Sequence, residues 1–395
     1  MKSLRLIFCV YLFLISMGCS IFNRSEVTKV DKDLKELKEE LKLIRSELEK
    51  QGKQIQLFYD SFTVDIGPEE IEKNIAQKKE KREEEKRLAV KIYMSLEDAK
   101  IKGILSFLPK SGLLVVPFKD GTINFYNLES KKIVKVISGP TYRVDCIAIS
   151  SNEERLVAGT LKGEYYVWDI NTGQVIFNRT NEWPVHSITI SNDGALLAWA
   201  TNGKYNEEEK WTEPDESLEV IEILSGKKLM RCEVGRGDYQ AMSFTPDGNA
   251  IAVIMNNRVG LWECKTGKLI REFGLQTYGP LSVCCSPDGK TLAVGYGPED
   301  IGIWDIETGN LIHLLKGHGN WVVTLCFTPD SKFLVSGAGD STARIWDLTT
   351  GKEVGRHNFK EHKGDYVDSV SISPDAKLFA AGCNNSFVVC RMPSF

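Results

Sequence analysis

The chain has 395 residues, of which 42% are hydrophobic and 26% are charged, so it can bury a large core beneath a well-solvated surface. Fifty basic residues against fifty-four acidic ones give a formal charge of −4, which leaves no broad basic surface for DNA or RNA. The ten cysteines include no CxxC pair and no group with histidine at ligand spacing. We therefore expect a globular protein without a metal, a cofactor or a nucleic-acid partner.

The N-terminus has the layout of a secretory signal peptide. Lys2 and Arg5 precede an apolar core from Leu6 to Ile15, which is shorter than the roughly 20 residues of a membrane-spanning helix. Gly18-Cys19 resembles the lipobox of bacterial lipoproteins, which implies that residues 1–18 are removed and that Cys19 carries a diacylglyceryl group. An ordinary cleaved signal is the alternative. We expect an exported, lipid-anchored protein of the cell envelope, on the outer membrane if the host is Gram-negative.

A helical stalk is predicted between this anchor and the rest of the chain. Residues 19–29 form a lipidated linker, and residues 30–57 continue a heptad of apolar positions that begins at Val27 and runs to Ile55. A heptad buries its seam only against another copy, so the segment predicts a coiled coil and a homo-oligomer, with an amphipathic surface helix as the alternative. Residues 58–86 are predicted to be a charged helical linker.

Residues 87–395 contain a repeat with a spacing of about 41 to 44 residues. Each unit has a β-rich run, a turn such as Thr245-Pro-Asp-Gly248, an apolar strand and a strand that ends in a Trp-Asp pair or a variant of it. The seven strand ends are Tyr126-Asn127, Trp168-Asp169, Ile221-Glu222, Trp262-Glu263, Trp304-Asp305, Trp346-Asp347 and Cys390-Arg391. A four-stranded sheet per unit, repeated around a ring, would bury the faces that a single sheet leaves exposed.

This pattern resembles the WD40 family and implies an all-β, seven-bladed β-propeller. The sixth unit has the full pattern, and the resemblance implies a buried hydrogen-bonded tetrad of His318, Ser336, Asp340 and Trp346 with a structural role. The seventh unit departs from the family with Cys390 at the tryptophan position, and the second has Gly139-Pro140 where Gly-His is usual.

The last unit ends without a fourth strand of its own. The alternating segment Leu88–Tyr93 is predicted to supply that strand and to close the ring, with the first innermost strand following at about residues 104–107. Cysteines within strands are expected to be buried free thiols, and Cys390 is expected to face Phe379 rather than Cys383.

Aromatic residues precede the innermost strand of six units. They are Tyr142, Trp183, Tyr239, Tyr278, Trp321 and Tyr366. Propeller symmetry would gather them around one mouth of the central channel, where tyrosine and tryptophan are suited to anchor a protein partner. The alternative is that they only seal contacts between blades. Trp211, in the acidic insertion Asn202–Ser217 of the third unit, is a further candidate on the same face.

The sequence contains no recognisable catalytic motif. We therefore predict a non-enzymatic scaffold for protein–protein interactions, with a ligand- or polymer-binding propeller as the alternative. A propeller enzyme of the pyrroloquinoline-quinone type shares the Asp-x-x-Thr-Gly turns, but its eight-bladed repeat fits these spacings less well.

Overall fold

In the computed structural model of the chain, the described residues are 92–96, 104–140, 142–181, 184–201, 217–233, 241–255, 258–274, 279–297, 300–359, 366–383 and 386–393. Within them the chain forms 28 β strands in seven four-stranded antiparallel sheets. Cys19, the coiled coil (30–57) and the charged linker (58–86) lie outside the described residues, so those assignments stay predictions. None of the helices in the described part is long and apolar enough to cross a membrane.

Each sheet is one blade, and its strands follow one another in chain order from the inside outward. Blade 1 contains β2 (Ser106–Phe107), β3 (Leu114–Pro117), β4 (Ile123–Asn127) and β5 (Lys132–Ile137). Blade 2 contains β6 (Val144–Ile149), β7 (Arg155–Thr160), β8 (Glu164–Asp169) and β9 (Val175–Thr180). Blade 3 contains β10 (Val185–Ile190), β11 (Leu196–Thr201), β12 (Ser217–Glu222) and β13 (Lys228–Glu233).

The remaining blades repeat this arrangement. Blade 4 contains β14 (Met242–Phe244), β15 (Ala250–Met255), β16 (Arg258–Glu263) and β17 (Leu269–Phe273). Blade 5 contains β18 (Pro280–Cys285), β19 (Thr291–Tyr296), β20 (Asp300–Asp305) and β21 (Leu311–Lys316). Blade 6 contains β22 (Val322–Phe327), β23 (Phe333–Ala338), β24 (Thr342–Asp347) and β25 (Lys352–Asn358). Blade 7 contains β26 (Ser369–Ile372), β27 (Leu378–Cys383), β28 (Ser386–Arg391) and the N-terminal strand β1 (Ile92–Leu96).

The all-β, seven-bladed fold predicted from the repeat is confirmed. All seven predicted strand-end pairs close the third strand of their blades, from Tyr126-Asn127 at the end of β4 to Cys390-Arg391 at the end of β28. The innermost strands contact one another in sequence, and β2 contacts both β6 and β26, which closes the ring.

The propeller has an upper and a lower face. The first and third strands of each blade begin at the upper face, and the second and fourth strands end there. The loops that connect one blade to the next therefore lie on the upper face. The lower face carries the turns between the first and second strands and between the third and fourth. The lower turns at Gly173, Gly267, Gly309 and Gly351 have positive φ values of 66 to 77°, which glycine adopts without the cost of a Cβ clash.

The first lower turn of six blades is held by one recurring side-chain arrangement. In blade 6, Thr328 Oγ1 donates to Asp330 Oδ1 (2.6 Å) and accepts from Phe333 N (3.0 Å), so the turn and the start of β23 are fixed together. The equivalent pairs are Ser150/Asn152, Ser191/Asp193, Thr245/Asp247, Ser286/Asp288 and Ser373/Asp375. Four of these turns, at Thr245, Ser286, Thr328 and Ser373, contain the Pro-Asp signal of the sequence, and their side chains explain why that signal recurs.

The N-terminal strand completes blade 7. β1 pairs antiparallel with β28, with Ile92 opposite Cys390 and Leu96 opposite Phe387, and Tyr93 Oη donates to Leu128 O of blade 1 (3.4 Å). The predicted strand Leu88–Tyr93 overlaps this strand only at its last two residues, and residues 88–91 lie outside the described part. Tyr93 and Met94 pack against the core between blades 7 and 1, so tertiary pairing rather than local alternation fixes where the strand lies.

Side chains join the innermost strands of neighbouring blades, which are sheet edges with free backbone amides. The side chain of the second-to-last residue in one innermost strand accepts a hydrogen bond. The donor is the backbone amide of the last residue in the innermost strand of the next blade. These bonds are Cys285 N to Ser243 Oγ (3.0 Å), Phe327 N to Cys284 Sγ, Ile372 N to Cys326 Sγ and Phe107 N to Ser371 Oγ (2.9 Å). The last of them spans the closure of the ring. Small polar residues at this position thus satisfy amides that would otherwise be buried without a partner.

The described cysteines have free thiols, as expected. Phe379 lies opposite Cys390 in the β27–β28 ladder, as predicted from the turn, and Cys383 lies opposite Ser386. Cys264, Cys285, Cys383 and Cys390 are buried in the hydrophobic packing between blades.

Candidate functional site

Two sets of sequence-predicted residues can be placed in the structure. The first is the tetrad of blade 6. Trp346 Nε1 is 2.8 Å from Ser336 Oγ, Ser336 Oγ is 2.7 Å from His318 Nε2, and His318 Nδ1 is 3.0 Å from Asp340 Oδ2. The four side chains form one continuous hydrogen-bonded chain, in which Ser336 alone bridges His318 and Trp346 and Asp340 lies at the far end.

The protonation of this chain follows from its surroundings. Burial lowers the pKa of His318, so the imidazole is neutral near pH 7. Burial opposes ionisation of Asp340 as well, but hydrogen bonds from His318 and from Thr342 outweigh it, and the pKa of Asp340 lies well below its usual range. The indole N–H therefore donates to Ser336, the Ser336 hydroxyl donates to His318 Nε2, and Nδ1–H donates to the carboxylate.

Ion pairs extend this chain toward the outer strand of the blade. Arg344 is 3.5 Å from Asp340 and 2.8 Å from Glu353, and Arg356 also pairs with Glu353 at 2.5 Å. His318 is buried and every ring nitrogen has a partner, so the histidine has no free position from which to act on a substrate. The arrangement joins β23, β24 and β25 to the loop that precedes β22.

Three other blades keep the tryptophan but lack the serine, and in blade 4 Ile251 faces Trp262 and is followed two residues later by Val253. In blade 6, Leu334 faces Trp346, and Ser336 lies two residues after Leu334. In blade 2, Leu156 faces Trp168, and Ala158 lies at the position of the serine. In blade 5, Leu292 faces Trp304, and Val294 lies there. The Nε1 atoms of Trp168 and Trp304 are buried and have no hydrogen-bond partner. These tryptophans contribute packing without the polar chain.

The second set is the aromatic one. Tyr142, Trp321 and Tyr366 lie on the upper face with 48%, 50% and 50% of their surface exposed, and they are the exposed aromatic side chains of the described residues. The four other candidates, Trp183, Trp211, Tyr239 and Tyr278, lie outside the described residues and stay predictions. The exposure of these three side chains is unusual for the fold, because other large aromatic residues are almost completely buried. They include Trp168, Trp346, Tyr165 and Tyr296.

Trp321 and Tyr366 each pack against a glycine of the preceding blade. A Cβ atom at Gly297, directly after β19, would lie 2.9 Å from Trp321 Cδ1, and one at Gly339, directly after β23, would lie 3.0 Å from Tyr366 Cε1. The two rings thus both seal the contact between blades and keep half of their surface in solvent. The predicted packing between blades is therefore observed for both rings, and partner binding stays a prediction. In the sequence, the signal for this packing is a glycine directly after the second strand of the preceding blade.

The loop that carries Trp321 is fixed at its backbone. Gly339 N donates to Trp321 O (2.9 Å), and Asn320 joins the same loop to Gly339 through its side-chain amide (3.3 Å) while accepting from Trp321 N (2.8 Å). Trp321 of blade 6 and Tyr366 of blade 7 are therefore presented by neighbouring blades on a preformed surface.

Tyr142 has different surroundings on blade 2. Lys162 Nζ lies over its ring, 5.5 Å from the centroid, and the exposed side chain of Leu161 comes directly before that lysine. Arg143, the next residue, pairs with Asp145 (3.1 Å). Leu161 and Lys162 were not identified from the sequence, because they occupy an upper turn that the repeat pattern leaves variable.

The six aromatic residues are not strictly equivalent. Their distance along the chain from the Ser or Thr of the following lower turn differs. It is eight residues for Tyr142, Trp183 and Tyr278, seven for Trp321 and Tyr366, and six for Tyr239. Of the described residues, Tyr142 thus lies one residue further from its lower turn than Trp321 and Tyr366 do. Trp321 and Tyr366 share one position and one environment.

Catalytic and metal chemistry find no support in the described part of the chain. It contains no group of three or more His, Cys, Asp or Glu side chains that could hold a metal ion. Burial raises the pKa of Cys264, Cys326 and Cys390 to about 12, so these thiols are not prepared as nucleophiles.

Comparison with known families agrees with the repeat architecture. Residues 309–347 and 354–390 match the model of the WD domain, G-beta repeat, and residues 105–199 match the model of the anaphase-promoting complex subunit 4 WD40 domain. The matched ranges include parts of blades 1, 2, 3, 5, 6 and 7.

Three curated proteins are similar to parts of the chain. The pre-rRNA-processing protein crb3/ipi3 of Schizosaccharomyces pombe is 24% identical over 186 residues, which is 44% of this chain and 40% of that protein. The WD repeat-containing protein SL1-17 of Schistosoma mansoni is 27% identical over 126 residues, 32% of this chain and 38% of that protein. The periodic tryptophan protein 2 homolog of Schizosaccharomyces pombe is 25% identical over 126 residues, 31% of this chain and 13% of that protein.

The chain thus spans two fifths or less of the length of these relatives. Propellers of this type are typically scaffolds for protein interactions rather than enzymes. With seven blades whose third strands end in the Trp-Asp pair or its variants, the chain is a WD40-repeat protein.

Proposed function

We propose that this protein is a membrane-anchored, non-enzymatic scaffold of the cell envelope whose propeller binds protein partners on its upper face. The observation that carries the proposal is the exposure of Tyr142, Trp321 and Tyr366 on one face of a fold whose other described aromatic side chains are buried or partly buried. Exposing such side chains to water has a free-energy cost, which a partner that covers them would remove.

The anchor and the stalk belong to the same proposal. A signal peptide (1–18) followed by a lipid on Cys19 would hold the propeller at a membrane, and a coiled coil over residues 30–57 would bring several propellers together. A multivalent array would strengthen binding to a partner that is itself repeated. The sequence patterns support these parts of the proposal.

An in-cell crosslinking pull-down of the full chain, read by mass spectrometry, tests the scaffold. The double variant Trp321→Ala/Tyr366→Ala is compared with Leu224→Ala, because Leu224 is 77% exposed on a lower turn and serves as a matched loss of apolar surface. We expect one protein at near-stoichiometric yield with the parent and with Leu224→Ala, and its loss with the double variant. Equal recovery with all three chains would refute binding through the upper aromatic residues.

If no protein is recovered, the ligand- or polymer-binding propeller becomes the better explanation. Two further measurements address the anchor and the stalk. Cys19→Ala should release the chain from membranes, and sedimentation of the chain from residue 19 onward should show an oligomer; retained partitioning or a monomer would contradict the respective part.

A further inference from the structure

The closing strand β1 differs from the outer strands of the other blades in its connection to the chain. Each of those outer strands follows the third strand of its own blade, whereas β1 is separated from its partner β28 by almost the whole propeller sequence. The chain before Ile92 contains the stalk and the anchor proposed above. Tension on that part of the chain therefore reaches the propeller first through β1.

The direction of β1 is fixed by its pairing with β28. As the third strand of blade 7, β28 begins at the upper face and ends at the lower face with Arg391. β1 is antiparallel to it, and Ile92 lies opposite Cys390, next to that lower end. β1 therefore begins at the lower face, and tension on the preceding chain pulls at its lower end.

A partner held on the upper face determines the direction of the force. The force then runs from the upper face to the lower end of β1, along the strand rather than across it. The hydrogen bonds of an antiparallel pair are perpendicular to the strands, so a pull along β1 strains all of them at once. A pull across the ladder would break them one after another from a single end. Detachment of β1 along its own axis thus requires the larger force.

Side chains of β1 oppose the same displacement. Tyr93 Oη donates to Leu128 O of blade 1 (3.4 Å), and the guanidinium of Arg391 lies over the Tyr93 ring, 5.3 Å from its centroid. Tyr93 and Met94 also pack against the hydrophobic core between blades 7 and 1. A slip of β1 along β28 has to break these contacts together with the ladder.

We propose that β1 is a mechanical lock, which keeps the ring closed while tension acts between the membrane anchor and a partner on the upper face. This inference rests on the proposed scaffold function and adds how the scaffold withstands force. While the ladder holds, the force passes from β1 to β28 and does not reach residues 97–103, which connect β1 to the innermost strand of blade 1. The strand that closes the ring is thus also the strand that protects it from the tether.

Single-molecule force spectroscopy on the full chain tests the lock in two pulling geometries. In the axial geometry, one handle is at the N-terminus and the other at a ligation tag between β11, which ends at the upper face, and β12, which begins there. In the terminal geometry, the handles are at the two termini, so both pulls act at the lower ends of β1 and β28. Release of residues 92–103 lengthens the chain by about 40 Å, which identifies the detachment of β1. We expect this event to need at least about twofold more force in the axial geometry, because the ladder bonds are strained together.

Variants test the side chains of β1 in the axial geometry. We expect Tyr93→Ala, which removes the bond to Leu128 O and the ring beneath Arg391, to lower the detachment force by about a third or more. Tyr93→Phe loses only the hydroxyl and should lie between this variant and the parent. Phe177→Ala is the matched control, because Phe177 lies on the outer strand β9 and has Arg179 over its ring at 5.1 Å. It should leave the force unchanged, since the pulled chain is not attached at β9.

Equal detachment forces in the two geometries, or an equal loss in Phe177→Ala, would overturn the inference. The measurement requires neither a lipid nor a partner, so its failure is distinguishable from that of the scaffold. A partner that depends on the upper face, found together with equal detachment forces, leaves the scaffold in place and removes only the mechanical lock. A larger force in the axial geometry, lost in Tyr93→Ala and kept in Phe177→Ala, supports the lock.

Discussion

Ser336 Oγ accepts a 2.8 Å hydrogen bond from Trp346 Nε1, whereas the equivalent Nε1 atoms of Trp168 and Trp304 have no partner. Blade 6 therefore contains a polar chain that blades 2 and 5 lack, and the hydroxyl of Ser336 is its central atom because it also contacts His318 Nε2 at 2.7 Å. Removal of this hydroxyl leaves two buried polar atoms without a partner.

We expect Ser336→Ala to lower the free energy of unfolding by about 1–3 kcal/mol, since a buried donor or acceptor that loses its partner retains its desolvation cost. Urea unfolding followed by tryptophan fluorescence measures the change. Ser225→Ala, in an exposed turn, is the matched control and should stay within about 0.5 kcal/mol of the parent. A loss no greater than that of the control would show that the chain does not stabilise the blade.

Acid should destabilise the propeller through His318 before it acts through Asp340. The pKa of His318 is lowered from 6.5 by burial, so below pH 6.5 the unfolded chain takes up a proton that the folded chain does not. Stability at this residue is thus fully present above pH 6.5 and falls as the pH drops. Asp340, whose pKa is lowered from 3.8, adds its own loss only below pH 3.8.

Unfolding free energies at pH 7.5, 6.0 and 5.0 test this order. We expect the parent to lose stability on acidification, and His318→Gln, although less stable at pH 7.5, to lose less between pH 7.5 and 5.0. Parallel curves for the two proteins would mean that His318 is not the titrating group.

The propeller could be predicted from the sequence because its signals are local and repeated. In six blades the lower turn has a short hydroxyl side chain and, two residues later, Asp or Asn, as in Thr328 and Asp330. In five of these blades the third strand ends 18 or 19 residues after that hydroxyl. The described part of the N-terminal strand, Ile92–Leu96, continues three residues beyond the predicted end at Tyr93, because its position depends on pairing with β28 and on packing by Tyr93 and Met94, which alternation does not encode.

The upper face was less predictable for the same reason. Aromatic residues before an innermost strand are visible in the sequence, but their exposure depends on what the preceding blade offers. The rings of Trp321 and Tyr366 pack against Gly297 and Gly339, where no side chain stands in the way, while Lys162 lies over the ring of Tyr142. These contacts join residues of different turns, so the repeat pattern alone does not reveal them.

Ring closure should depend on Ser371. Its Oγ accepts from Phe107 N (2.9 Å), while the neighbouring Ser369 Oγ accepts from Leu105 N (3.1 Å), so blade 7 is joined to blade 1 by hydroxyl groups. We expect Ser371→Ala to cost about 1–3 kcal/mol of unfolding free energy, measured in urea, because an innermost-strand amide loses its partner. Ser106→Ala is the control at the equivalent position of blade 1, where the hydroxyl only contacts the carbonyl of Phe107 at 3.4 Å. Equal losses would show that the hydroxyl at the closure has no special role.

Thiol reactivity should report on the opening of blade 7. Burial raises the pKa of Cys383 and Cys390 to about 12, so at pH 8 only about one thiol in ten thousand is a thiolate, and both side chains are enclosed. We expect iodoacetamide at pH 8 to leave both cysteines unmodified in the folded chain and to label both in guanidinium chloride, as read by mass spectrometry of their peptides.

Cys390 lies opposite Ile92 of the closing strand, whereas Cys383 lies opposite Ser386. A variant such as Met94→Pro, which removes an amide from the β1–β28 ladder, should therefore speed labelling of Cys390 more than that of Cys383. Equal acceleration at both cysteines would instead indicate that the whole blade unfolds as one unit when its closing strand is weakened.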